Sequence, residues 1–85
     1  MRLTAAQRRI LMAMRNQCTL KSHRDIEGNK AYRLHTLDGA SEEIPAALVQ
    51  ALIDKGMIDS NKKFPASTYW LTELGRQMVG VMHRM

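Results

Sequence analysis

Residues 19–37 read TLKSHRDIEGNKAYRLHTL. Apolar side chains in this stretch do not recur at three and four, so no helical stripe forms. Glu27-Gly28-Asn29 is a turn signal at its centre. The spacing predicts a β-hairpin with a three-residue loop and Asn29 in the left-handed region. In that register Leu20, Ile26, Tyr32 and Leu34 share one face, and Lys21, His23, Arg33 and His35 share the other. A slip of one residue would exchange the faces, so burial selects the register.

Helical patterns flank the hairpin. Residues 4–16 place Ala6, Ile10, Ala13 and Met14 at helical spacing with Leu11 beside them. Thr4 and Gln7 have the separation of a capping box. After the Asp38-Gly39 turn, Ser41-Glu42-Glu43 reads as a helix start, with its acids at the positive end of the dipole. Pro45 then falls in the first turn. Ile44, Leu48, Ala51 and Leu52 form the buried stripe, and Gly56 closes the helix. Met57-Ile58-Asp59 starts a strand, residues 61–67 form a loop, and Thr68-Tyr69-Trp70-Leu71 returns. Thr72 caps a last helix whose apolar face is Leu74, Met78, Val81 and Met82. Gly75 and Gly80 either weaken that helix or admit close packing.

The chain has 85 residues, enough for one domain spanning 1–85. Thirteen basic and eight acidic residues give a formal charge of +5. Such a balance favours nucleic acid, an anionic surface or an acidic protein partner, and it also serves solubility alone. The single cysteine, Cys18, excludes an intramolecular disulfide and suits the reducing cytoplasm. No apolar run approaches the ~20 residues that span a membrane. The Arg-rich opening MRLTAAQRRILMAMR has its apolar residues interrupted by Arg8, Arg9 and Arg15, so it reads as structure and not as a targeting signal.

The segment of residues 46–79, with DKGMI before the loop and YWLTELGR after it, resembles the winged-helix proteins, and the wing of MarR-like regulators in particular. There a recognition helix ends in a Lys-Gly-apolar turn, a charged hairpin follows, and the return strand enters a Leu-Thr-x-x-Gly-Arg helix. The resemblance implies a single winged-helix-like α+β domain ordered α-β-β-α-β-β-α. It also implies a wing along a DNA backbone near residues 61–67. In that family two more helices follow the first, where this chain reads as a hairpin. Over nearly its whole length the chain also resembles the YjhX family of small candidate toxins, through MRLTAAQRRIL, RDIEG, DKGMIDS and the Tyr-x-Leu-Thr ending.

Basic residues fall into three groups: Arg8, Arg9 and Arg15; Lys21, Arg24, Lys30 and Arg33 with His23 and His35; and Lys62 and Lys63 at the wing tip. Converging, they would track phosphates and make binding salt-dependent. The outward residues of helix 45–55 are Ala46, Ala47, Gln50 and Asp54, with Ile53 at the margin. Of these only Gln50 suits base reading, and Asp54 repels phosphate. Strand alternation sets Tyr69 and Leu71 against Trp70, and burial preference assigns Trp70 to the core or its margin. Phe64, beside Pro65 at a loop tip, reads as a contact for a partner or groove.

Cys18 and His23 are too few for a metal site, and His35 and His83 do not complete one. No nucleophile elbow, phosphate loop or metal-helix motif is present, so no enzyme and no cofactor are expected. The first expectation is a DNA-binding regulator that grips the phosphate backbone through Lys62, Lys63, Lys21, Arg33 and Arg8 or Arg15, with Gln50 as the base reader. The alternative is a protein-interaction module (toxin, inhibitor or adaptor) that docks an acidic partner through Ala47, Gln50 and Phe64. Surplus apolar surface in the terminal VGVMHRM suggests a homodimer.

Overall fold

A computed structural model describes residues 3–63 and 66–83. Its order is α1 (Ala5–Arg15), β1 (Thr19–Arg24), β2 (Lys30–His35), β3 (Ser41–Ile44), α2 (Ala46–Asp54), β4 (Ile58–Ser60), β5 (Ala66–Leu71) and α3 (Glu73–His83). The strands form one five-stranded antiparallel sheet in the order β3-β2-β1-β5-β4. The helices pack on one face of it, giving a two-layer α+β domain.

The hairpin at 19–37 stands. Its loop spans five residues, not three, because Arg24 pairs with Lys30. Asp25 organises that loop by accepting at Oδ1 from the amides of Glu27 and Asn29, and Gly28 takes the left-handed backbone (φ 88°) expected for Asn29. The change in register is an even number of residues, so the faces keep their members. Leu20, Tyr32 and Leu34 are buried under the helices. Ile26, expected beside them, sits at the loop and is fully exposed.

Helix α1 begins with the expected box. Thr4 Oγ1 accepts from the Gln7 amide at 3.1 Å, and Gln7 Oε1 accepts from the Thr4 amide at 2.9 Å. Ile10, Leu11 and Met14 carry its buried side, joined by Gln7, whereas Ala6 is exposed.

Residues 41–44 form an edge strand and not a helix start. Ile44 precedes Pro45, whose ring disfavours helical backbone one residue upstream. Tyr32 pairs with Ile44 and His35 with Ser41, so β2 supplies the hydrogen bonds that a first helical turn would have made. Pro45 becomes the N-cap, and no acid lies in the first turn of α2. The element order therefore gains a strand over the expected α-β-β-α-β-β-α, and no helix lies between α1 and α2. Short length and two adjacent glutamates suit this strand to a sheet edge.

The buried stripe of α2 is Val49 and Leu52, with Leu48 and Ala51 only half-buried. Gly56 closes the helix with φ 74°, as expected. In α3 the stripe rotates similarly. Val79 is fully buried and Met78 packs beside it, while Leu74 and Val81 are exposed. The side chain of Met82 lies outside the described residues. Gly75 explains the rotation, because a Cβ there would stand 2.1 Å from the backbone oxygen of Met57. The helix thus approaches the chain that leads into β4 more closely than any side chain allows. Thr72 accepts at Oγ1 from the Gly75 amide at 3.1 Å, the expected cap.

Candidate nucleic-acid interface

Alternation along the strands gives the sheet a second face, largely exposed, on which no helix packs among the described residues. Three rows cross this face. In the middle row Glu43 pairs with Arg33, Arg33 with Lys21, and Lys21 with Thr68. One row toward the loop between β1 and β2, Ala31 pairs with His23 and His23 with Ala66. Toward the other end lie Ser41, His35 and Thr19, with Asp59 paired to Trp70. Lys21, His23, Arg33 and His35 therefore share one face, as the sequence predicts.

Arg33 donates from Nε and Nη2 to Ser41 Oγ at 3.2 and 3.0 Å, which fixes the guanidinium without neutralising it. The ion pairs among the described residues are Arg9–Glu42 and Arg76–Glu73, both 2.8 Å, and neither uses Lys21 or Arg33. Directly opposed like charges on a sheet repel. The Lys21–Arg33 pair is therefore a local cost, offset in part by Glu43 opposite Arg33, that an anion bound at Lys21 would relieve further.

Trp70 also stands on this face and is 45% exposed. Its expected place in the core belongs to Tyr69, which pairs with Leu20 and is buried. Tyr69 meets Tyr32 ring to ring at 6.0 Å. Alternation alone separates Trp70 from Tyr69, but only the pairing with β1 tells which of them the helices cover.

Beside Trp70 a pocket of about 530 Å³ opens at the end of the sheet. Met14, Arg15 and Gln17 to Thr19 wall it on one side, Thr68 to Leu71 on another, and Arg76 closes a third. Gln17 turns the chain into it with a left-handed backbone (φ 72°), and the Cys18 amide donates to the Ala13 carbonyl at 3.0 Å. That pattern is a helix C-terminal motif in which glycine is the usual residue. Arg76 is held by the Leu71 carbonyl at 3.0 Å and the Glu73 carboxylate at 2.8 Å. The bond from Arg76 holds the Glu73 carboxyl below the usual glutamate range. Sequence reading does not find this pocket, because its walls come from three separated segments and no periodicity marks them.

The remaining candidates are divided. Arg15 lines the pocket, whereas Arg8 turns back to the Leu3 carbonyl at 2.8 Å. Arg9 is tied to Glu42 of β3 by a two-pronged bond, 3.0 and 2.8 Å, on the helix side of the sheet. Glu42 is held below the usual carboxylate range by that hydrogen bond, and the Arg9 guanidinium is raised by it. Arg24 caps its own loop through the Gly28 carbonyl, and the Lys30 ammonium lies 5.3 Å from the Tyr32 ring centre.

Lys62 and Lys63 are exposed in the loop between β4 and β5, where Lys62 has φ 55°. Asn61 Oδ1 accepts from the Lys63 and Thr68 amides, bracing that loop. The strand expected to return at Thr68 already starts at Ala66. Ala66 pairs with His23, so this loop and that of residues 25–29 lie at the same end of the sheet. Gln50 and Ala47 are exposed on α2, on the helix layer, and the Gln50 amide donates to Asp54 at 2.9 Å. Phe64 lies outside the described residues.

Among the described residues no three His, Cys, Asp or Glu side chains gather around a metal-sized space. No helix among them is long and apolar enough to cross a membrane. No family model matches the chain, and neither does any curated protein or solved structure.

Proposed function

We propose that the protein is a small nucleic-acid-binding protein, and not an enzyme, that grips the phosphate backbone through the open face of its sheet. The observation that carries this reading is the cationic couple Lys21–Arg33, side by side on the exposed sheet face and in no ion pair among the described residues. Phosphate is the anion that such an array meets in series. Lys62 and Lys63 extend the array past the end of the sheet. This keeps the part that the MarR-like resemblance gives to the β4–β5 wing, and moves the main interface from helix to strands. Regulation of transcription is the role this resemblance suggests. The lone thiol and basic charge fit the cytoplasm, where nucleic acid is the abundant polyanion.

The test is a salt titration of binding to a labelled random nucleic acid, followed by anisotropy. Log affinity should fall linearly with log salt, by about 0.7–0.9 per phosphate contacted. Binding that is absent at low salt, or flat with salt, contradicts the reading.

One observation favours a second reading. The outer surface of α2 presents Ala46, Ala47 and a Gln50 amide already bonded to Asp54, so it offers small, self-satisfied groups. Leu74 and Val81 add exposed apolar surface on α3. A toxin, inhibitor or adaptor that docks a protein partner, or a homodimer, would use such surfaces. Ala47→Glu would then abolish capture of a purified partner and leave nucleic-acid affinity unchanged.

A further inference from the structure

The basic middle row of the open face and the pocket at the sheet's end share one residue. Thr68 lines the pocket and is also the strand partner of Lys21. A polymer lying along Lys21 and Arg33 therefore runs directly to the pocket mouth. There it meets Trp70, the largest exposed ring on the face, with Arg15 and Arg76 on the surrounding walls. Thr19, Thr68 and Gln17 add hydroxyl and amide groups that both donate and accept. The volume of about 530 Å³ lies within the range of small-ligand sites and admits one base with its sugar.

Three properties coincide here: a flat aromatic, a largely apolar wall with a few hydroxyl and amide groups able to meet a base edge, and the cations Arg15 and Lys21 beside it. A base paired inside a duplex presents no face to a ring, whereas an unpaired base does. We infer that this pocket takes an unpaired base of a single-stranded nucleic acid. The base stacks on Trp70, Arg15 meets the adjoining phosphate, and Lys21 and Arg33 carry the strand onward, while Arg76 stays paired with Glu73. Asp59 beside Trp70 and Glu73 beside Arg76 oppose the phosphates and restrict where the strand passes. The inference rests on the nucleic-acid reading above and adds a preference for single strands over duplex.

Trp70 is the only tryptophan, so its fluorescence reports on the pocket alone. The full chain is titrated at low salt with an oligothymidylate of about ten nucleotides, within the usual span of one such binding fold. A blunt duplex of equal length serves as the comparison. Anisotropy of labelled strands records binding, and Trp70 emission records stacking.

The inference predicts saturable quenching by the single strand and at least about tenfold weaker binding of the duplex. Trp70→Ala should lower single-strand affinity roughly tenfold and leave duplex binding unchanged, and Trp70→Phe should recover most of the loss. Trp70 is exposed, so a melting curve like that of the wild type will confirm that the variants fold. Binding seen by anisotropy with Trp70 emission unmoved overturns the pocket inference but leaves the phosphate-backbone reading standing. Equal affinity for strand and duplex also overturns it. No binding of either nucleic acid removes both.

Discussion

Leu20 and Lys21 are neighbours in one strand and meet opposite surroundings. Leu20 is wholly buried, facing the helices with Tyr32, Leu34 and Tyr69 around the same layer. Lys21 faces solvent between Arg33 and Thr68. The covered face holds the buried residues of the strands: Leu20, Tyr32, Leu34, Ile44, Ile58 and Tyr69, with Ser22 and Ser67 as its buried hydroxyls. The open face holds Lys21, His23, Arg33, His35 and Trp70, with the carboxylates Glu43 and Asp59 at its margins. Two-residue alternation thus divides one set of strands into a surface that holds the fold and a surface free to bind. The open face carries more cationic than acidic groups, and an anion bridging Lys21 and Arg33 would relieve their repulsion.

The division is sharpest where a substitution of similar size is made on each side. Leu20→Ala should cost about 2–5 kcal/mol of stability, through lost burial and a residual cavity. In a domain whose whole stability is of order 4–13 kcal/mol, that is a large part, and thermal melting will record it. Gly75→Ala tests the same face from the helix side. The new methyl would meet the Met57 carbonyl, so a loss of about 2–3 kcal/mol is expected, against a gain at Gly80, where nothing lies within 4 Å. If Gly75→Ala melted with the wild type, the close approach of α3 would be wrong.

Lys62→Ala with Lys63→Ala probes the margin of the open face. The pair should weaken nucleic-acid binding through the salt-dependent part alone and change stability by under about 0.5 kcal/mol. Measured by salt titration, an unchanged slope would confine the interface to the strands.

The smallest effect belongs to the tether between the layers. Arg9 holds the Glu42 carboxyl below its ordinary value. Its stabilisation is therefore complete above the unfolded-chain carboxylate range and fades as pH falls through the lowered value. Glu42→Gln should flatten the acid side of the stability profile slightly, since both side chains are about half exposed. A loss at neutral pH as large as that of Leu20→Ala would show that the tether, and not the core, holds β3.

Much of this frame is legible in the residues themselves. The Thr4–Gln7 box, the hairpin at 19–37, the Gly56 closure and the Thr72 cap are local, and each follows from a few neighbouring side chains. The errors have long-range causes. Ser41-Glu42-Glu43 has the composition of a helix start, but the edge of β2 and Arg9, 33 residues away from Glu42, decide otherwise. Only the Ile44-Pro45 step hints locally at the extended backbone. The stripe of α3 is one position off, because the close pass of Gly75 against Met57 sets the rotation. Trp70 goes to the open face for a reason held in β1. The pocket depends on three segments meeting, so its residues carry no shared pattern, although the basic couple beside it does.

The central claim is that the open face binds and the covered face holds. The most direct measurement takes the Lys21→Ala, Arg33→Ala double variant and records melting temperature and nucleic-acid affinity across salt on the same samples. The account predicts melting within a few degrees of the wild type, with the log–log salt slope shallower by about two and affinity lowered most at low salt. A variant that melts normally and binds with the wild-type slope and affinity would contradict it.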